Sequence, residues 1–267
     1  MLNWIGEWLK RRQQRVVLHG IMSSWLYIIS GVPQASVLGP LSFLIYVNDI
    51  DSGIVNRLFK FADDTKLVGT VYSAEEIEQF HLDIKRLYDW SVDWQMQFNT
   101  DKCKTLHFGY ANARTEYLLG DEVVTTDEKE KDLGVIIHQT LKSNSQCVAA
   151  ANSANRTLGM INRTIVNKDS QTIKLYQSLV GPKLEYYVQA WRPYLQKDID
   201  LLEKVQRRAT RMMANDKSLS YYHRLKKFGL TTLETRRLRG DLIEVYKLFK
   251  GYDDVDFNVF SSCQVHI

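Results

Sequence analysis

The chain has 267 residues, 45% of them hydrophobic and 25% charged, an ordinary globular composition with room for one large domain or two small ones. Three widely spaced cysteines, Cys103, Cys147 and Cys263, argue against a disulfide framework and against a zinc site. The net charge of +4 hides an asymmetry, because residues 196–250 carry 14 Lys or Arg against 7 Asp or Glu. That excess is the footprint of a nucleic-acid partner or of a solvated helix face. No signal peptide or apolar run of transmembrane length is evident, so the expectation is an intracellular protein, nuclear or cytoplasmic, with no membrane partner.

Residues 2–12 read as a helix with Trp4, Ile5, Trp8 and Leu9 on one face. Residues 14–19 and 25–30 read as strands joined by a turn around Gly20. Ser30-Gly31-Val32-Pro33-Gln34-Ala35-Ser36-Val37-Leu38-Gly39-Pro40 is a shaped loop, and Pro40 suits the first turn of a helix over 41–49. A β-hairpin is predicted at 57–69 and a helix at 74–97, with Ser73 as N-cap and Glu75, Glu76 and Glu78 in its first turn. Strands are predicted at 103–109, 116–119 and 131–137. Helices then dominate, at 143–164, 169–180, 197–213, 220–227 and 232–250. The division expected is an α+β domain over 1–140, an all-α region over 141–251 and a loosely ordered tail over 252–267.

The hairpin at 57–69 carries the most chemistry. Residues 59–67, Phe-Lys-Phe-Ala-Asp-Asp-Thr-Lys-Leu, place the acids Asp63 and Asp64 at its tip. Adjacent carboxylates there are costly unless a cation sits on them, and Mg²⁺ takes oxygen ligands of this kind. The bland alternative is a solvated Asp-Asp turn. Lys204, Arg207, Arg208 and Arg211 recur at i, i+3, i+4 and i+7, one face of a helix, with Leu201, Leu202, Val205, Ala209 and Met212 on the other side. Such a stripe suits a nucleic-acid backbone or plain solvent.

Taken in order, Ser30-Gly31-Val32-Pro33-Gln34, Val37-Leu38-Gly39-Pro40 and Phe61-Ala62-Asp63-Asp64 resemble the palm of reverse transcriptases from jockey-like non-LTR retrotransposons. Phe98 to Cys103 with Leu106 to Gly109 resembles the family's fourth motif, and Glu130 to Val135 its primer-grip strand. Leu184-Glu185-Tyr186, Val205 to Thr210 and Arg237 to Leu242 resemble stretches of the helical region that follows, so the likeness runs over residues 4–251.

The resemblance implies a partial polymerase palm, an antiparallel sheet with helices on one face, followed by an all-α thumb-like region. It implies RNA-directed DNA polymerase activity on an RNA template and DNA primer with deoxynucleoside triphosphates. Asp63 and Asp64 would be catalytic and hold Mg²⁺. Gly31, Pro33 and Gln34 would shape the nucleotide pocket, with Lys102 near the triphosphate. Phe61, Ala62, Leu133 and Gly134 would face the primer, and Lys204, Arg207, Arg208 and Arg211 the nucleic-acid backbone. Without the family, Lys102 reads equally as a surface lysine and Gly134 as a strand bulge.

The chain departs from the family pattern in four places. Ala35 stands where Gly is usual, Ser42 where Leu is usual and Gly181 where Arg is usual. A methyl at position 35 is strained only if its φ is positive. Such palms also need a third carboxylate on a strand before the loop at 30–40, yet Glu7 is the only acid in residues 1–48. The expectation is a chain that begins after that strand and, alone, is inactive as a polymerase. The alternative is a non-catalytic nucleic-acid-binding relic.

Overall fold

The computed structural model describes residues 2–33, 35–110, 112–166, 172–214, 216 and 218–252. The chain is of mixed α+β class. In order it runs α1 (Leu2–Leu9), β1 (Gln13–Gln14), β2 (Val17–Leu18), β3 (Ile21–Met22), β4 (Leu26–Tyr27), α2 (Leu38–Tyr46), β5 (Arg57–Phe61), β6 (Asp64–Val68) and α3 (Ala74–Asp93). It continues through β7 (Lys104–Thr105), β8 (Leu118–Leu119), β9 (Glu122–Val123), β10 (Thr125–Thr126), β11 (Lys129–Asp132) and β12 (Val135–His138). Helices follow: α4 (Asn144–Thr164), α5 (Thr172–Leu175), α6 (Gly181–Glu185), α7 (Val188–Trp191), α8 (Gln196–Met213), α9 (Tyr221–Phe228) and α10 (Leu233–Lys250). Among the described residues every sheet has two strands, so the single antiparallel palm sheet anticipated from the resemblance is not formed. The strands are only two to five residues long, which leaves little ladder for a third strand to join. Two compact units emerge, residues 1–103 with 111–125 and residues 104–110 with 126–267. Among the described residues no helix is long and apolar enough to cross a membrane.

In the first unit, β2 pairs with β3 and β1 with β4 around the turn at His19 and Gly20, both at positive φ. The second strand starts at Ile21, four residues earlier than its sequence suggests. Helix α2 also starts early, at Leu38, and Pro40 falls in its first turn, where a missing N–H costs nothing. Ser73 caps α3 as expected. Its Oγ accepts the Glu76 N–H at 3.2 Å, and the Glu76 carboxylate accepts the Ser73 N–H at 3.2 Å. The Tyr72 N–H, then the Thr70 hydroxyl, and to a lesser degree the Ser73 N–H donate to the Glu76 carboxylate and hold it below its ordinary range. Helix α3 stops at Asp93 rather than 97, because Gln95 takes a left-handed φ of 55°. Its inner face meets Tyr117, whose ring lies 4.9 Å from Phe80 and 5.0 Å from His81. Gly120 turns the chain at φ 67° where any Cβ would lie 2.5 Å from the Tyr88 ring.

The second unit holds one continuous apolar cluster, from Val135 through α4 and α8 to Leu233. Two bonds fix how α4 and α8 lie together. Asn144 Nδ2 donates to Asp198 Oδ1 at 2.7 Å, and Arg208 Nη1 reaches Asn155 Oδ1 at 3.4 Å. The sequence offsets are 54 and 53, so the helices run parallel, their register shifting by one residue between the two bonds. The helix expected over 169–180 begins on residues 169–171, which lie outside the described set. Its visible part passes from α5 into a π-helical turn at Tyr176–Val180. Pro182 explains the wider turn, since it has no N–H to return to the Ser178 carbonyl. Cys103 and Cys147 are free thiols, and burial, with Asp198 adding to it, pushes the Cys147 thiol up to about 11. A thiol so protonated is inert.

The strand expected at 131–137 is instead a hairpin. Asp132 pairs with Val135, so the chain reverses at Leu133 and Gly134, with φ of 45° and 88°. Two central residues at positive φ make the turn that suits strand twist. Gly134 is therefore a turn residue and not a bulge.

Candidate functional site

Hairpin β5–β6 builds the acidic tip. Its register runs from Arg57 opposite Val68 to Phe61 opposite Asp64, leaving Ala62 and Asp63 as the two-residue turn. Ala62 takes φ 51°, a left-handed conformation that a small side chain tolerates best. Both carboxylates thus project from a tight, exposed turn, Asp63 from its apex and Asp64 from the first residue of β6. Phe59 and Phe61, two residues apart on β5, are more than half exposed.

Polar anchors position this hairpin. Asp83, fully buried on α3, accepts the N–H groups of Val55 at 3.1 Å and Asn56 at 2.8 Å and the Asn56 amide at 2.9 Å, all through Oδ2. Its Oδ1 accepts Gln79 at 2.8 Å and Arg86 at 3.0 Å. Burial pushes the Asp83 carboxyl up, but the bonds from Asn56, Val55 and Gln79 outweigh it and hold the group below its ordinary value. Higher on the strand, Lys60 Nζ lies 3.1 Å from Asp51 Oδ1 and 3.0 Å from the Asn48 carbonyl. Gly69 faces the Asn56 side chain, which a Cβ would strike. The role of Asp83 was missed in the sequence, though a carboxylate among Phe80, Ile84 and Leu87 on a core-facing stripe was its signal.

The loop at 30–40 is shaped as its prolines and glycines suggest. Gly31 takes φ 75°, and the Arg12 guanidinium donates to its carbonyl. Ser36 Oγ donates to the Pro33 carbonyl at 2.7 Å and accepts the Gly39 N–H at 3.0 Å. Ala35 sits at φ 58°, so its methyl is strained. Gln34 lies outside the described residues. Lys102 ends an exposed 3₁₀ turn over Thr100–Lys102.

The remaining candidates fall in the second unit. Tyr186 Oη donates to the Leu133 carbonyl at 3.0 Å, and a Cβ at Gly134 would lie 3.1 Å from the Tyr186 ring. The hairpin tip is thereby clamped. On α8, Lys204, Arg207, Arg208 and Arg211 are all exposed, while Leu202, Val205 and Ala209 are buried. The Arg207 guanidinium stacks 4.2 Å over the Tyr221 ring. Tyr221 Oη is itself fixed by the Gln206 amide at 3.0 Å and by the Glu203 carboxylate. Burial, then the Glu203 bond, pushes the Tyr221 hydroxyl well above its ordinary value, so it stays protonated. Among the described residues none of these four cations, Lys204, Arg207, Arg208 and Arg211, is paired with a carboxylate.

The acidic turn bears on metal binding through its donor set. Two carboxylates give hard oxygen ligands suited to Mg²⁺, which takes one or two carboxylates and completes its shell with water and phosphate. Among the described residues no group of three or more His, Cys, Asp or Glu side chains converges. The pair fits a partly dressed divalent cation and falls short of a two-metal set.

Comparison with known proteins gives the family. The profile of the family described as Reverse transcriptase (RNA-dependent DNA polymerase) matches residues 1–152. The chain is 25% identical over 206 residues to the RNA-directed DNA polymerase from mobile element jockey of Drosophila funebris, covering 70% of this chain and 22% of that protein. It is 24% identical over 227 residues to the probable RNA-directed DNA polymerase from transposon X-element of Drosophila melanogaster, covering 78% and 24%. The jockey polymerase of Drosophila melanogaster is 22% identical over 204 residues. The chain spans about a quarter of the length of these curated relatives. No solved structure matches it.

Proposed function

Because the chain belongs to the reverse transcriptase (RNA-dependent DNA polymerase) family, we propose that it is the palm and adjoining helical part of an RNA-directed DNA polymerase of a jockey-like non-LTR retrotransposon. Residues 1–140 would be the partial palm, residues 141–251 a thumb-like region and residues 252–267 a tail. The observation that carries this reading is Phe61-Ala62-Asp63-Asp64 at the tip of a two-stranded hairpin, with its turn already bent through Ala62. The work of such an enzyme lies where RNA and deoxynucleotides are found, in the nucleus or cytoplasm.

Asp63 and Asp64 would hold Mg²⁺, which when bound neutralises charge on the attacking 3′-oxygen and the departing pyrophosphate. Ala62 keeps the turn thin, so a primer terminus can approach its backbone, and exposed Phe61 offers a face for a base or sugar. Gly31, Pro33 and Gln34 would form one wall of the deoxynucleotide pocket, and Lys102 would meet the triphosphate. Leu133 and Gly134, pinned by Tyr186, would present a rigid edge to the primer strand. The cations of α8 would follow the sugar-phosphate backbone.

The test is primer extension on an RNA template. The 267-residue polypeptide by itself is expected to extend poorly, for want of a third carboxylate. Fused behind the corresponding upstream segment of the Drosophila funebris jockey polymerase, it is expected to extend, and Asp63→Ala to cost about a hundredfold or more. A fusion insensitive to Asp63→Ala would overturn the reading. A non-catalytic nucleic-acid-binding relic is the second reading, favoured by the unpaired cations of α8, and a fusion that binds but never extends would support it.

A further inference from the structure

Two stretches singled out in the sequence, Leu184-Glu185-Tyr186 and Arg237 to Leu242, have no part in the acidic turn or in the cation stripe of α8. The structure brings them together. Helix α6 ends at Glu185, and Tyr187 takes a left-handed φ of 48° before α7 begins at Val188. A bulky side chain keeps that conformation only where its surroundings enforce it. Helix α10 supplies the enforcement, from positions 236, 237 and 241 on one side of the helix. Arg237, 2% exposed, donates from Nη2 to the Leu184 carbonyl at 2.8 Å, and its guanidinium lies 5.4 Å from the centroid of the Trp191 ring. Arg236 Nη2 lies 2.8 Å from Glu185 Oε2, and Arg192 Nη1 lies 2.7 Å from Asp241 Oδ2. Trp191 Nε1 closes the corner on itself by donating to the Tyr186 carbonyl at 2.8 Å.

Tyr186 carries this placement outward. The two residues before it are held by α10, and its own Oη donates to the Leu133 carbonyl at 3.0 Å. The turn it reaches ends a lone two-stranded ladder, which holds its shape poorly without an outside tie.

We infer that Arg237, with Arg236, is a positioning residue for the turn at Leu133 and Gly134, acting through the α6–α7 corner and the Tyr186 hydroxyl. That role rests on reading this turn as the edge that meets the primer strand. The two arginines act by placement and not by contact, since Arg237 is buried and Arg236 is engaged by Glu185. Glu185 makes the corner sensitive to Arg236. Its Oε1 is buried with no partner among the described residues, so loss of Arg236 leaves a largely buried carboxylate with neither oxygen bonded.

The test is hydrogen exchange on the full chain, read at Leu133 to Val135. Arg236→Gln is expected to quicken exchange there by about three- to tenfold, the worth of one hydrogen bond, while α4 and α8 keep their protection. Arg237→Lys, which keeps the charge and one donor, should do so less than Arg237→Gln. If Arg237→Gln fails to fold, Arg236→Gln and Arg237→Lys decide the matter. In a Tyr186→Phe background neither change should quicken these amides further, because the link is already cut. Additive effects in that background, or protection lost evenly across the unit, overturn the role. Primer extension by the fusion with the jockey segment separates it from the reading beneath. There Arg236→Gln is expected to raise the KM for primer–template and leave the KM for deoxynucleotide unchanged, and Arg236→Lys to restore it. A loosened turn with both KM values unchanged upholds the positioning and overturns the primer reading of the turn. A turn unmoved while either KM rises overturns the positioning. If the fusion does not extend, exchange alone decides the positioning.

Discussion

In the second unit Leu158, Tyr176, Leu184, Leu202 and Leu233 are each 1% exposed or less and meet in one cluster. Among the described residues of the first unit only Val47, Ile50, Leu87, Tyr117 and Leu119 are buried apolar side chains. Its β1–β4 segment instead exposes Val17, Ile21 and Trp25, and hairpin β5–β6 exposes Phe59 and Phe61. The two units therefore rest on different forces. One is held by apolar burial spread over many residues. The other relies on a few polar anchors, namely Asp83 at the hairpin root, Lys60 on the strand and the Ser73–Glu76 box on α3. Two-stranded ladders with apolar faces in water are marginal alone, and their free edges invite another strand. The unit that carries the acidic turn is thus the one that gains most from a partner surface.

The sharpest way to break this comparison is to remove equivalent leucines. Leu202→Ala should cost about 2–5 kcal/mol, the range for a fully packed site that cannot collapse. Leu87→Ala, at a site with fewer buried apolar neighbours, should cost less. Denaturant unfolding read by hydrogen exchange in each unit decides it. Equal losses, seen by amides of both units together, would mean one shared cooperative core.

Asp83→Ala comes next. It strips the Val55 and Asn56 N–H groups and the Arg86 guanidinium of their acceptor, at a cost of about 3 kcal/mol. The loss should appear as faster exchange in β5 and β6, with α4 and α8 unchanged. The same group sets an acid limit. Its carboxyl lies below the unfolded value, so its stabilisation is complete above about pH 4 and fades as pH falls through the folded pKa. Asp83→Asn should flatten that acid loss in the first unit. A wild-type hairpin whose exchange is indifferent to pH in this range would remove Asp83 as its anchor.

The elements legible in the sequence were those whose signals are local. Ser73 and Glu76 spell a capping box, and the apolar runs around Asp63 and Asp64 spell a hairpin with acids at its tip. The faces of α8 followed from spacing alone, since 204, 207, 208 and 211 are exposed as their period requires. What escaped depends on distant partners. The reversal at Leu133 puts a leucine at φ 45°, where Asn or Asp would have announced a turn, and its clamp, Tyr186, lies 53 residues away. The π-helical turn arises from Pro182, whose effect falls on a carbonyl four residues back.

Gly134→Ala tests the smallest of these effects, at a left-handed turn of the second unit. Alanine at φ 88° leaves the region open to L residues, and its Cβ would sit 3.1 Å from the Tyr186 ring. The backbone term alone is about 1 kcal/mol, and the ring must also give by a few tenths of an ångström. The total should stay near 1–2 kcal/mol, small against the Leu202 loss, because Tyr186 is half exposed and can move. Exchange of the Leu133 to Val135 amides should quicken first, while α4 and α8 keep their protection. Tyr186→Phe removes the bond to the Leu133 carbonyl but keeps the ring, so it should loosen the tip less than Gly134→Ala does. If Tyr186→Phe proves the costlier change, the hydrogen bond and not the glycine holds this turn.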